Sequence, residues 1–113
     1  MLLETCIQKG VDAAIQQYHE LKSAHSATMD FSEHDLNTLG YELIVMKSIK
    51  AAIKILKLNV EAYPQSSNVY DSLGEAYMED GDKKLAIENF EKSLKLDPKD
   101  RNAIEKFKQL KAQ

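Results

Sequence analysis

Few side chains in this chain could bind a metal or attack a carbonyl: His19, His25 and His34 are its imidazoles and Cys6 is its single thiol. No two of the histidines stand three or four residues apart, the spacing that sets two ligands on one helix face. They read as surface residues, and no metal site is expected. Cys6 has no local motif to supply an activating base, so it reads as a buried structural thiol rather than a nucleophile. Alone, it excludes an internal disulfide and says little about compartment. Serines are plentiful, yet there is no Gly-x-Ser-x-Gly elbow and no Ser-x-x-Lys helix start with its partners. The four glycines are isolated, so nothing cradles a phosphate. Aspartates and glutamates are scattered along what read as solvated helix faces, with no pair placed to displace its pKa values. The expectation is a chain without catalysis, cofactor or metal.

Composition narrows the partner. The net charge of −3 comes from interspersed lysine and glutamate, not from blocks, so there is no basic stripe for a phosphate backbone and nucleic acid is not expected. No apolar run approaches the roughly 18–20 residues of a membrane span, and Met1-Leu2-Leu3-Glu4 lacks the flank and core of a secretion signal. The chain reads as soluble, cytoplasmic or bacterial periplasmic. Its 113 residues suit one domain with a modest core, and four Gly and two Pro in a Lys-, Glu-, Leu- and Ala-rich chain favour helices.

The elements that position everything else repeat. Leu73-Gly74 has an earlier counterpart at Leu39-Gly40, and Ala86, Phe90 and Pro98 are matched at the same offset by Ala52, Leu56 and Pro64. Small residues and a proline held at one period signify stacked helix-turn-helix units. One unit is expected over 33–66 and another over 67–100, each with an apolar face on both helices. Residues 101–113 form a capping helix, because Lys108 stands where Gly74 would and no further helix packs there. Residues 1–22 read as a degenerate helix pair bent at Gly10, and 23–32 as a loop. Ser32 with Asp35 resembles a capping box, with Phe31 as a hydrophobic staple. Asp80-Gly81-Asp82 makes a turn, with Gly81 free to take positive φ and Asp82 to cap the next helix. Gly40 and Ala52 are small enough to let two helix backbones approach closely.

Leu73, Gly74, Tyr77, Ala86, Phe90 and Pro98, with Tyr70 in place of the usual tryptophan, resemble the tetratricopeptide repeat pattern. The resemblance implies an all-α superhelix of antiparallel helix-turn-helix repeats. It implies a non-catalytic interaction or scaffold module whose concave face is lined by the first helix of each unit. Carried over residue by residue, that face comprises His34, Asn37, Tyr41 and Ile44, then Asn68, Asp71, Glu75 and Met78, and at the cap Asn102 and Glu105. Repeats that clamp the carboxylate end of chaperone tails need Lys and Arg there, and these positions offer Asp71, Glu75 and Glu105 instead. A neutral or basic peptide or protein segment suits the groove better than an acidic tail.

A looser resemblance covers the whole layout: Gly10 to Tyr18, Asp30-Phe31-Ser32-Glu33, Leu36-Asn37, Leu39-Gly40-Tyr41, Asn59-Val60-Glu61 and Asp71 through Tyr77. It is similar to the C-terminal repeat segment appended to some bacterial serine hydrolases, of the esterase and β-lactamase-like kinds. Their catalytic residues have no counterpart here, so the implied role is an accessory domain. One place departs from both patterns: the inter-helix turn of the first unit is Val45-Met46-Lys47, where Glu79-Asp80-Gly81 stands in the second. Exposed apolar residues there, next to Ile44, mark a contact site. Ile44, Val45 and Met46 would suit a homo-oligomer, and such a patch would also suit an altered or engineered surface.

Overall fold

The structure is a computed structural model that describes residues 2–24 and 32–112, with side chains over 5–20 and 32–112. Among these residues seven helices follow one another: α1 Leu2–Lys9, α2 Val11–Ala24, α3 Glu33–Val45, α4 Ile49–Ala62, α5 Ser67–Asp80, α6 Lys83–Leu96 and α7 Arg101–Ala112. The all-α superhelix of antiparallel hairpins is the observed fold. It forms a slab of 45 × 28 × 16 Å. α2 runs through Ser23 and Ala24, two residues beyond the expected start of the loop. Residues 25–31 of that loop, with His25 and with Phe31 and its staple, lie outside the described residues, as do the side chains of Leu2, Leu3 and Leu21.

Helix ends sit where local chemistry puts them. Ser32 Oγ accepts from the Asp35 amide at 3.1 Å, and Asp35 Oδ2 accepts from the Ser32 amide at 3.2 Å, completing the capping box. Asp82 Oδ1 accepts from the Leu85 amide at 3.1 Å. Gly81 takes φ 83° and ends α5, while the Asp82 amide reaches back to Tyr77 O at 2.9 Å, a left-handed helix stop. The first unit closes by the same bond at the matching place, where Ser48 N donates to Leu43 O at 2.8 Å. Here Lys47, which is not glycine, takes φ 67°.

Two apolar clusters form the core. One joins Ile53, Leu56, Leu73, Tyr77, Ala86 and Phe90 to Ala103 and Leu110 of α7; the other joins Tyr18 of α2 to Leu36, Leu39, Leu43, Ala52, Ile55 and Leu58. The frame glycines serve this packing. A Cβ on Gly40 would lie 2.5 Å from Leu56 Cδ2, and one on Gly74 would lie 2.9 Å from the Phe90 ring. At Gly40 the Leu56 side chain fills the space a Cβ would take. That packing is the compensation for a mid-helix glycine, which costs about 1 kcal/mol against alanine.

The units join through α5, which packs along α4 and also against α3, and through α7, which packs along α6. Lys50 on α4 pairs with Asp80 on α5 at 2.7 Å, and this bond raises the lysine's pKa. The leading pair meets the rest by α2 against α4, where Lys54 and Asp12 approach at 3.0 Å in an exposed pair. Cys6, expected to be buried, is half-buried beside the Tyr18 cluster, and burial pushes its thiol pKa up. That shift holds it in the unreactive form. No described helix is long and apolar enough to cross a membrane.

Candidate protein interface

The first helices of successive units share one wall, and polar side chains bind them edge to edge. Between α3 and α5, Ser72 Oγ donates to Asn37 Oδ1 and the Tyr41 hydroxyl donates to Glu75 Oε2. At the lower end Ser66 Oγ and Asn68 Nδ2 both donate to Glu33 Oε2, at 2.9 and 3.3 Å. Between α5 and α7, Asn102 Nδ2 donates to Asp71 Oδ1 at 2.6 Å. Asp100, which caps α7 by accepting from the Ala103 amide at 3.2 Å, also accepts from the buried Ser93 hydroxyl at 3.2 Å. The bonds among α3, α5 and α7 cross between helices that hold matching places in successive units, so the ladder fixes the register of the stack.

Its electrostatics are unusual at one point. Asp71 is 7% exposed, and burial, with Asp100 and Glu75 nearby, raises its carboxyl to about 7 against the restraint of the Asn102 bond. No carboxylate pair was expected to displace its pKa values; here burial acts first, with Asp100 and Glu75 adding to it, because α7 closes over a helix-face aspartate. Burial and the Glu75 carboxylate also hold the Tyr41 hydroxyl protonated well above the ordinary tyrosine range. Its role is a hydrogen-bond donor, not a base.

The residues assigned to the concave face separate into three groups. Asn37, Tyr41, Asp71, Glu75 and Asn102 are brought together by the ladder. His34 and Glu105 are exposed, as is Asn68, which joins the ladder only through Glu33. Ile44 and Met78 were expected to line the groove, but they are half-buried and packed against the core, Ile44 against both clusters. Ile44 therefore does not extend the apolar patch. Val45 and Met46 do stand out, 79% and 46% exposed, because the turn carries them past the end of the core.

Beside α3 lies a groove of about 460 Å³, lined by Asn37, Thr38, Tyr41, Glu42, Val45 and Met46 among the described residues. Sequence reasoning missed Thr38 and Glu42, and also Glu33, Ser72 and Asp100 of the ladder. The recurrence of Asn68 and Asn102 at the repeat spacing of 34 was the available signal. Among the described residues no cluster of three or more metal-ligating side chains occurs.

Comparison with known proteins bears on the fold. The tetratricopeptide repeat profile matches residues 67–100, the unit of α5 and α6. A solved structure described as the first TPR of Spaghetti (RPAP3) bound to HSP90 peptide SRMEEVD superposes with a TM-score of 0.69. It is 17% identical, over 98% of this chain and 85% of that one. No curated protein matches the chain. Residues 67–100 thus match the tetratricopeptide repeat pattern, and the chain as a whole takes the fold of a helical-repeat structure.

Proposed function

We propose that this chain is a non-catalytic protein-interaction module that holds a neutral or basic segment of a partner against the wall of α3, α5 and α7. The observation that carries the reading is the charge of that wall. Among the ten residues assigned to the face there is no lysine or arginine, while Glu75 and Glu105 supply carboxylates beside amide and hydroxyl groups. An acidic tail would meet like charge there. The similar structure is bound to the acidic peptide SRMEEVD, so the two chains, alike in fold, are read as differing in the sign of what they accept.

A panel of equal-length acidic, neutral and basic peptides, titrated by fluorescence anisotropy, tests this. The basic set should bind at least about tenfold more tightly than the acidic set, with the gap narrowing as salt rises. Clear preference for the acidic set would overturn the proposal. A second reading, self-association, is favoured by the exposure of Val45 and Met46. A constant monomer mass in light scattering over a concentration series would reject it. The accessory role beside a serine hydrolase is compatible with either surface and depends on what the chain is joined to.

A further inference from the structure

α3, α5 and α7 hold matching places in the stack, but their flanks facing the chain's beginning are covered unequally. On α5 that flank is Val69, Ser72 and Ala76, none more than 1% exposed, and on α7 Ala103 and Leu110 are likewise buried. The residues of α3 that match those of α5 in the repeat frame are Asp35, Thr38 and Glu42, and all are exposed. Packing explains the contrast. α5 lies along α4 and α3, whereas the leading pair reaches the next unit by α2 against α4, and α1 is only eight residues long. The groove beside α3 is the place left open.

We propose that this open flank of α3 takes an amphipathic helix from a partner protein, its apolar stripe on Val45 and Met46 and a lysine or arginine against Glu42. The inference deepens the reading of a module for neutral or basic segments and rests on it. A helix fits better than a strand, because the backbone of α3 is already bonded within its own helix and offers no edge for strand addition. From Asn37 to Met46 the flank runs about 14 Å at 1.5 Å per residue, enough for two to three turns of a partner. Charge decides the chemistry: among the described residues no lysine or arginine lines the groove, and covering Glu42 with a neutral or acidic helix would leave its carboxylate unpaired. A second copy of this chain is the poorer occupant. Paired patch to patch, it would bring a second Glu42 and no groove lysine or arginine. Its other exposed large hydrophobics among the described residues, Ile7 and Leu96, stand singly on α1 and α6.

The probe is a short leucine–lysine peptide of about four helical turns, patterned as an amphipathic helix. Beside it stand a scrambled version of the same composition and one with every lysine replaced by glutamate. Binding is read by anisotropy and by amide NMR shifts of the labelled chain. The patterned peptide should bind, shift α3 residues from Asn37 to Met46, and bind about tenfold more weakly to Glu42→Lys and to the Val45→Ser/Met46→Ser double variant. Glu91→Gln, on an exposed face of α6, should leave binding unchanged, and circular dichroism checks that every variant folds. Equal binding of the scrambled peptide would overturn the inference. A loss caused by Glu105→Gln and not by the α3 variants would move the contact to the wall, overturning this proposal while the module reading stands. Tight binding of the glutamate peptide would overturn both. A change in solution mass instead of peptide affinity on altering Val45 and Met46 would assign the groove to a second copy and likewise overturn it.

Discussion

Leu43, Ala52 and Leu56 in the α3–α4 unit hold the same places in the repeat as Tyr77, Ala86 and Phe90 in the α5–α6 unit, and all six are buried. What differs is the surroundings. α5 is bonded to α3 on one side and to α7 on the other and is closed by a glycine turn, whereas α3 leaves Asp35, Thr38 and Glu42 exposed and is closed by Val45-Met46-Lys47. The repeat frame thus sets the backbone in both units, and the departures from it in the first unit coincide with the open surface. A residue kept at the period supports the fold; Val45 and Met46, which break it, stand exposed.

The strongest test of this comparison is truncation of the two matched core residues. Phe90→Ala should cost about 4 kcal/mol and Leu56→Ala about 3 kcal/mol, because each leaves a cavity opposite a glycine that has no side chain to fill it. Urea unfolding measures both. Both belong to the cluster that α7 closes, but Phe90 stands on α6, against which α7 packs, so its loss should also loosen the cap. If Leu56→Ala proved clearly the more costly, the claim that the second unit is the better supported would fail.

A smaller effect tests the ladder. Asp71 titrates near 7 in the folded chain against an ordinary 3.8, so between those values the native state holds a proton that the unfolded chain has released. Its contribution to stability is therefore fully present below about 3.8 and lost as pH rises through about 7. Asp100 and Glu75 face the same carboxyl, and Asn102 donates to it. Asp71→Asn keeps an acceptor for Asn102 and removes the titration. The variant's melting temperature should gain on the parent's as pH is raised from 5 to 8, and parallel curves would show that Asp71 does not titrate there.

How much of this was legible in the sequence depended on how far each feature reached along the chain. The caps at Ser32 and Asp82, the turn at Gly81 and the exposure of Val45 and Met46 follow from bonds spanning a few residues, and all were visible. The frame of Leu73-Gly74 and Phe90 was visible because it recurs. The burial of Asp71, Ile44 and Met78 was hidden for one reason: helical periodicity says which residues share a face but not how far a neighbouring helix extends over it. α7 covers Asp71, and the core reaches Ile44 and Met78. The open flank of α3 was hidden for the converse reason, since its exposure depends on how the short α1 and α2 dock.

The smallest expected effect isolates the turns. Lys47 and Gly81 occupy the same place in the two units and both have positive φ, 67° and 83°. A side chain in that conformation carries a steric penalty of roughly 1–2 kcal/mol that glycine escapes, partly offset by glycine's greater loss of backbone entropy. Lys47→Gly should therefore stabilise the chain by about 0.5–1 kcal/mol, and Gly81→Ala should destabilise it by about 1 kcal/mol. Opposite signs at matched positions would show that the lysine is retained against the backbone's preference, beside the groove where Val45 and Met46 lie. Thermal melts of both variants decide it. A destabilising Lys47→Gly would mean that the lysine side chain itself holds the turn, and the contrast drawn between the two units would lose its simplest physical mark.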